Sequence, residues 1–318
     1  MKAEISAVLP VYNEALNLEP LHRELIAVLE RLGRPFEIVY VDDGSTDGSA
    51  ELLDQFSSDD RVRVIHLARN YGQTAALAAG FDQATGDVVV TLDADGQNDP
   101  REIGKLLAEI DRGFDLVVGW RWPRQDPFWT RRLPSMFANW LIGRITGVRL
   151  HDYGCTLKAM RREVVSELRL YGEMHRFIPA LAAEVGARIA EIRVRHRPRQ
   201  AGKSKYGLSR TWKVLLDLVA VKFLTGYSTR PIQVFGSLGL ICGLVGIAII
   251  GALGFQRLVL GVPLANRPLV LLGILLTVVG IQFVSMGLLG ELLVRTYHES
   301  QGKPIYRSRR ASQSQHLR

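Results

Sequence analysis

Two stretches of this chain carry no formal charge over a length that can cross a lipid bilayer. Ile232–Phe255 runs for 24 residues and Pro268–Gly290 for 23, and about 20 apolar residues suffice for a spanning helix. In hydrocarbon a single segment must satisfy its own backbone polar groups, so both are predicted to be helical. The 12 residues between them, 256–267, carry only Arg257 and Arg267, whereas 193–230 holds ten Lys or Arg and 291–318 holds six. Positive charge collects on the cytoplasmic side. The expectation is a hairpin that enters and leaves from the cytoplasm, in a multi-pass protein of the cytoplasmic membrane whose other parts are cytoplasmic. The rival is a pair of buried helices in a soluble protein. The start, "MKAEISAVLPVYNE", reads as no signal peptide, its apolar part being short and broken at Pro10.

The first 125 residues follow another pattern. Strand-like runs, "EISAVLPVY", "FEIVYVDDG", "VRVIHLA", "DVVVTLDAD" and "FDLVVGWR", alternate with helical ones. In "NLEPLHRELIAVLERL", Leu18, Leu21, Leu25, Val28 and Leu32 share one helical face. "DGSAELLDQF" reads as a helix with Asp47 as its N-cap, and another helix opens near Pro100. Alternating strands and helices form βαβ units and a mostly parallel sheet. Ligands then bind beyond the carboxyl ends of strands, where "VDDGS", "LDAD" and "VGWR" fall.

Those ends are rich in charge. Asp42 and Asp43 close the second strand, and Asp93, Asp95 and Asp99 crowd the end of the fourth in "TLDADGQNDP". A polar turn after a buried strand accounts for either tip. So does chemistry: a carboxylate there can hold a ribose or a base N–H, and a D-x-D pair can hold Mg2+ or Mn2+ against diphosphate oxygens. Asp99 fits better as an N-cap for the helix after Pro100. The net charge of +8 points to nucleic acid, an anionic membrane surface or phosphorylated ligands. The basic residues cluster beside the apolar spans, which favours lipid, and no nucleic-acid partner is expected. With only Cys155 and Cys242, neither a disulfide framework nor a zinc site is indicated.

Residues 126–230 are mixed. "PFWTRRLPSMFANWLIGRITG" interleaves Phe128, Trp129, Phe137 and Trp140 with Arg131, Arg132 and Arg144. A core-facing helix with a solvated basic face and an interfacial helix at lipid headgroups fit equally well.

Taken in order, "VLPVYNE", "VDDGSTDGS", "GQTAALAAGF", "TGDVVVTLDADGQNDP", "GWR", "DYGCTLKAMRREVV", "HRFIPAL" and "RPRQAGKSKYG" resemble the family 2 glycosyltransferases of GT-A fold. More narrowly, the chain is similar to polyprenyl-phosphate glycosyltransferases: dolichol-phosphate mannose synthases and bacterial enzymes that load glucose or aminoarabinose onto undecaprenyl phosphate. The likeness covers positions 4–307. It implies an α/β GT-A nucleotide-sugar-binding fold followed by interfacial helices and the transmembrane hairpin. It also implies Asp93 and Asp95 as the D-x-D pair, with Gln97 beside Asp95 at a Mg2+ or Mn2+ ion. Pro10, Tyr12, Glu14, Val41 and Asp43 match the nucleotide pocket, and Ala94 a backbone contact beside the diphosphate. Arg121, Arg199 and Lys205 match cations on phosphate groups; two phosphate groups brought together need fixed positive charge. Asp152 matches an acidic residue proposed as a base in relatives, though a phosphate monoester is already ionised at neutral pH and needs little deprotonation; orienting a substrate is the other role. His175 and Arg176 fall on the acceptor side, or His175 is a buried structural residue. Cys155 reads as packing.

The resulting expectation is an inverting transferase that moves a sugar from a nucleotide-diphosphate donor to a polyprenyl phosphate. It comprises a catalytic domain at 1–205, juxtamembrane interfacial helices at 206–230, the hairpin at 231–293 and a basic tail at 294–318. A homo-oligomer is left open. A processive polysaccharide synthase is disfavoured by the missing Q-x-x-R-W. A non-catalytic membrane scaffold is disfavoured by the intact D-x-D.

Overall fold

The computed structural model describes residues 3–122, 133–168, 170, 172, 174–197, 231–261, 263, 264 and 267–301. The chain divides into two compact units, Met1–Val221 and Lys222–Arg318.

The first unit is built on a mixed seven-stranded sheet: β1 (Ile5–Val11), β2 (Phe36–Asp42), β3 (Val62–His66), β4 (Val88–Thr91), β5 (Leu116–Arg121), β6 (Lys158–Arg161) and β7 (Ile189–Val194), in the spatial order β3-β2-β1-β4-β6-β5-β7. β1 pairs in parallel with both β2 and β4, so the order reverses at β1. β6 runs antiparallel between β4 and β5. β6 and β7 are additions to the five strands read from sequence.

The inner strands β1, β2 and β4 are largely apolar and buried on both faces, because both faces are covered, whereas the edge strands β3 and β7 carry exposed charged residues. Ile5, Ala7, Leu9 and Val11 enter one core with α1 (Ala15–Leu32) and α4 (Ile103–Asp111). Val8, Val39 and Val41 enter a second core beneath α3 (Gln73–Gln83) and α7 (Ile178–Glu184). Leu18, Leu21, Leu25 and Val28 are buried on α1 as their spacing predicts, while Leu32 is partly buried.

Two capping expectations part ways. Asp99 caps the turn Pro100–Glu102 ahead of α4, accepting from the Arg101 N–H at 3.0 Å. Asp47 is not the cap of α2 (Ser49–Phe56): Gly48 holds that position, in the left-handed region at φ 88°. The Asp47 carboxylate instead accepts from the backbone N–H of Ser49 and of Ala15, tying the start of α2 to that of α1. On α5 (Leu133–Thr146) Ile142 is buried while Met136 and Trp140, one turn apart, are exposed. Phe128, Trp129, Arg131 and Arg132 lie outside the described residues. A short helix, α6 (Arg162–Glu167), follows β6.

The second unit holds α8 (Pro231–Leu260) and α9 (Pro268–Gln301). Each contains a span long and apolar enough to cross a membrane, Ile232–Leu260 and Pro268–Gly290. The helices meet at glycines: a Cβ on Gly246 would lie 2.6 Å from the Gly273 carbonyl oxygen, and one on Gly280 2.6 Å from the Gly243 nitrogen. Small residues that admit backbone contact are the means of packing where apolar solvent removes the hydrophobic drive.

Candidate active site

The carboxyl ends of β1, β2 and β4 form one rim at the reversal of strand order, where open α/β sheets bind ligands. At the end of β2 the chain turns through Asp42, Asp43 and Gly44. Gly44 is at φ +71°, and a Cβ there would sit 2.7 Å from the Arg69 backbone, so the turn needs glycine on two counts. Both oxygens of buried Asp43 accept main-chain bonds, from Tyr71 N (2.7 Å) and Gly72 N (2.9 Å). Asp43 thus pins the loop that feeds α3. Its neighbour Asp42 accepts from Ser45 N and pairs with His66, whose pKa is raised chiefly by that bond.

Pro10 is the next-to-last residue of β1, and Tyr12 and Glu14 follow the strand; all three are half-buried. Glu14 accepts from the Asn17 amide at 2.7 Å. Val41, in β2, and Ala94, in the acidic turn after β4, are buried.

The acidic turn follows β4. Asp95 is buried and accepts from Gln97 twice, from the backbone N–H at 3.1 Å and from the side-chain amide at 2.7 Å. Asp93 accepts from the Gln73 amide at 2.7 Å. Desolvation first, and then the charge of Asp95, push the Asp93 carboxyl up to about 6. Two carboxylates in one desolvated turn favour a cation. Among the described residues no group of three or more His, Cys, Asp or Glu could cage an ion. Asp93 and Asp95 are hard oxygen donors of the kind that could hold Mg2+ or Mn2+.

Arg121 ends β5 and grips Asp152 with a two-pronged bond, Nε to Oδ2 at 2.6 Å and Nη2 to Oδ1 at 2.8 Å. Asp152 is 1% exposed and also accepts from the Gly154 N–H. A carboxylate so engaged fixes the orientation of the guanidinium. Cys155 is buried and its thiol is pushed up to about 11 by burial, in keeping with packing.

Several residues that sequence reasoning left unassigned complete the rim. Gln73, Thr156 and Lys158 share a cleft with Asp93 and His175. Thr74 Oγ1 and His175 Nδ1 lie 2.7 Å apart, both residues buried. Arg197 donates to both Glu24 oxygens at 2.7 and 2.8 Å and reaches Asp99 at 2.7 Å, while its backbone N–H donates to the Gln97 carbonyl. It thereby braces the far side of the acidic turn. Arg199 and Lys205 lie outside the described residues.

The α/β sheet thus gathers an acidic turn and a fixed guanidinium at one rim. The chain belongs to glycosyl transferase family 2, whose description matches residues 6–169, and it is a glycosyltransferase. It is 43% identical to the dodecaprenyl-phosphate galacturonate synthase of Rhizobium johnstonii, over 95% of this chain and 91% of that one. It is 42% identical to the undecaprenyl-phosphate 4-deoxy-4-formamido-L-arabinose transferase of Edwardsiella ictaluri, over 95% and 92%. Among solved structures, glucosyl-3-phosphoglycerate synthase from Mycobacterium tuberculosis shares the fold. The TM-score is 0.55 at 20% identity, over 70% of this chain and 78% of that one.

Proposed function

We propose that this glycosyltransferase moves a sugar, with inversion at the anomeric carbon, from a nucleotide-diphosphate donor to a polyprenyl phosphate at the cytoplasmic face of the membrane. The observation that carries the reading is the acidic turn at Asp93, Asp95 and Gln97, set at the rim of a sheet that also ends in the Arg121–Asp152 pair. The two curated relatives support the acceptor, since both are named for a polyprenyl phosphate and are similar along nearly the whole chain. The apolar helices supply the means to meet such a lipid.

In this reading Pro10, Tyr12, Glu14 and the main chain at Val41 and Ala94 receive the nucleotide, while Asp43 keeps the neighbouring loop in register. Asp93 and Asp95 would hold Mg2+ or Mn2+, with Gln97 fixing the Asp95 carboxylate. The ion, when bound, neutralises charge that builds on the leaving diphosphate. Arg121 donates to phosphate oxygens from an orientation set by Asp152. Arg199 and Lys205 add further positive charge for the donor and acceptor phosphates. The acceptor phosphate is ionised at neutral pH, so its oxygen attacks the anomeric carbon without a base. The C–O bond to the nucleoside diphosphate breaks as the new bond forms. Residues 1–205 carry this chemistry and 206–230 lie in the membrane interface. Residues 231–293 cross and return, and 294–318 stay on the cytoplasmic side.

The test is to incubate the purified full-length protein with undecaprenyl or dodecaprenyl phosphate, Mn2+ and a panel of radiolabelled nucleotide sugars. One donor labels the lipid fraction, and EDTA abolishes the labelling. Label that enters only water-soluble material or polymer, with every donor, overturns the reading.

A further inference from the structure

Glu191 has no role in the chemistry above, yet it is joined to it. It sits on β7 in register with Val118 of β5, and its side chain is 11% exposed. Its carboxylate meets two successive residues of the loop between α5 and β6. Oε1 accepts the main-chain N–H of His151 at 2.8 Å and that of Asp152 at 2.9 Å. Oε2 lies 2.7 Å from His151 Nδ1. The His151 ring is also stacked on Trp120, with centroids 4.1 Å apart and planes at 13°, and the Arg193 guanidinium lies over Trp120 at 4.9 Å. The Asn139 amide of α5 donates to the His151 carbonyl oxygen at 2.7 Å. Residue 151 is therefore held by β5, β7 and α5 together.

The next residue is Asp152, whose carboxylate sets the Arg121 guanidinium. Between Thr146 and Lys158 the chain forms no helix or strand. Its main-chain groups must then find partners among side chains, and a carboxylate that accepts two N–H groups is a strong one. A carboxylate aims a guanidinium only as well as its own main chain is fixed. Glu191 fixes that main chain from the last strand of the sheet.

We propose that Glu191 is a positioning residue for sugar transfer: by holding the main chain of residues 151 and 152 it sets the Asp152 carboxylate, and through Asp152 the angle at which Arg121 meets phosphate. The inference rests on the reading of Arg121 as a phosphate contact and extends it to the residue that keeps the contact in line. Small misplacements of a catalytic cation are costly even when the substitution lies away from the chemistry.

The experiment measures transfer by the full-length protein in detergent with Mn2+, polyprenyl phosphate and the nucleotide sugar that labels the lipid. Glu191→Leu lowers the rate by roughly 10- to 10²-fold. Glu191→Gln keeps an oxygen for both main-chain N–H groups and retains most of the rate. Glu191→Asp keeps the charge but is one methylene too short, and loses rate as Leu does. That order separates reach from charge: a Gln variant as poor as Leu, or an Asp variant as good as wild type, overturns the proposal. The second arm repeats Glu191→Leu in an Arg121→Lys background, which keeps a cation without the two-pronged bond. If Glu191 acts through Arg121, the second substitution adds little. Losses that multiply in full mark a merely structural role and overturn the proposal as well. Tryptophan-fluorescence unfolding verifies that each variant folds, and Glu191→Asp replaces Leu in this arm if Leu does not. Wild-type transfer to a water-soluble acceptor would instead overturn the function proposed above. Both arms are then read on that reaction and still decide the role of Glu191.

Discussion

The two compact units solve opposite packing problems. In Met1–Val221 the large aliphatic side chains point inward: Leu9 and Leu25 are 0% exposed. In Lys222–Arg318 they point outward, with Leu258 at 86% and Leu271 at 72%, and glycines occupy the inner seam. The first unit is organised for water and gathers its polar groups at one rim. The second is organised for hydrocarbon and holds its helices together by backbone contact. Sugar chemistry on a lipid needs both, since one substrate is water-soluble and the other is not.

That contrast can be broken by substitution, and the largest effect is expected at the rim. Arg121→Met strips Asp152, 1% exposed, of its two-pronged partner. The expected cost is about 3 kcal/mol of stability, together with loss of transfer. Denaturant unfolding of the full-length protein in detergent, followed by tryptophan fluorescence, measures it. All five tryptophans lie at or before position 212, so the signal reports the first unit. An unchanged midpoint would mean that the pair is not structural.

Next is Asp95→Asn, which removes a negative charge and keeps the shape. Transfer should fall by at least ~10²-fold, the scale of a few kcal/mol of lost leaving-group stabilisation, with the fluorescence midpoint little altered. Full turnover by this variant, or by wild type in EDTA, would remove the metal from the account.

A third substitution sharpens the contrast from the other side. Gly246→Leu drives a side chain into the Gly273 carbonyl and the Thr277 hydroxyl, where even a Cβ would lie at 2.6 and 2.5 Å. Overpacking of this kind costs about 1–3 kcal/mol. The loss should appear in the far-ultraviolet helical transition and not in tryptophan fluorescence. A coincident shift of both probes would show that the two units unfold as one.

Much of the first unit was legible because its strands are buried on both faces and write near-continuous apolar runs. β6 was not. "KAMR" is four residues with a charge at each end, held in the sheet by β4 and β5 on its two sides rather than by its own pattern. The acidic turn was legible from spacing. The coupling of Arg121 to Asp152 was not, since 31 residues separate them and no period links a strand end to a distant loop. Asp47 looked like a helix cap because its residue type favours caps; the left-handed Gly48 took that position instead. Gln73, Thr156 and Lys158 lie inside quoted motifs, but nothing in those motifs gave them a role; the cleft they share with Asp93 brings them together.

The smallest effect is one of pH. His66 bonds Asp42 and Asp54, and its pKa in the folded chain is raised, first by the Asp42 bond. A raised folded value means that the protonated form stabilises. The contribution is full below the unfolded value of about 6.5 and is lost as pH rises through the folded one. With His66 part-exposed, the effect is modest. Wild type should lose stability relative to His66→Gln as pH climbs from roughly 6 to 8. A constant difference across that range would show the pair to be inert.

The division of labour between the units is tested most directly by acceptor length. The full-length protein in liposomes, with its labelled donor and Mn2+, is given polyprenyl phosphates of equal headgroup and increasing chain, from a short water-soluble isoprenyl phosphate to the dodecaprenyl form. The prediction is that donor KM stays constant while transfer efficiency rises steeply with chain length, because the rim reads the donor and the apolar helices bring in the lipid. Equal efficiency for short and long acceptors would contradict it, leaving the helices as a mere tether.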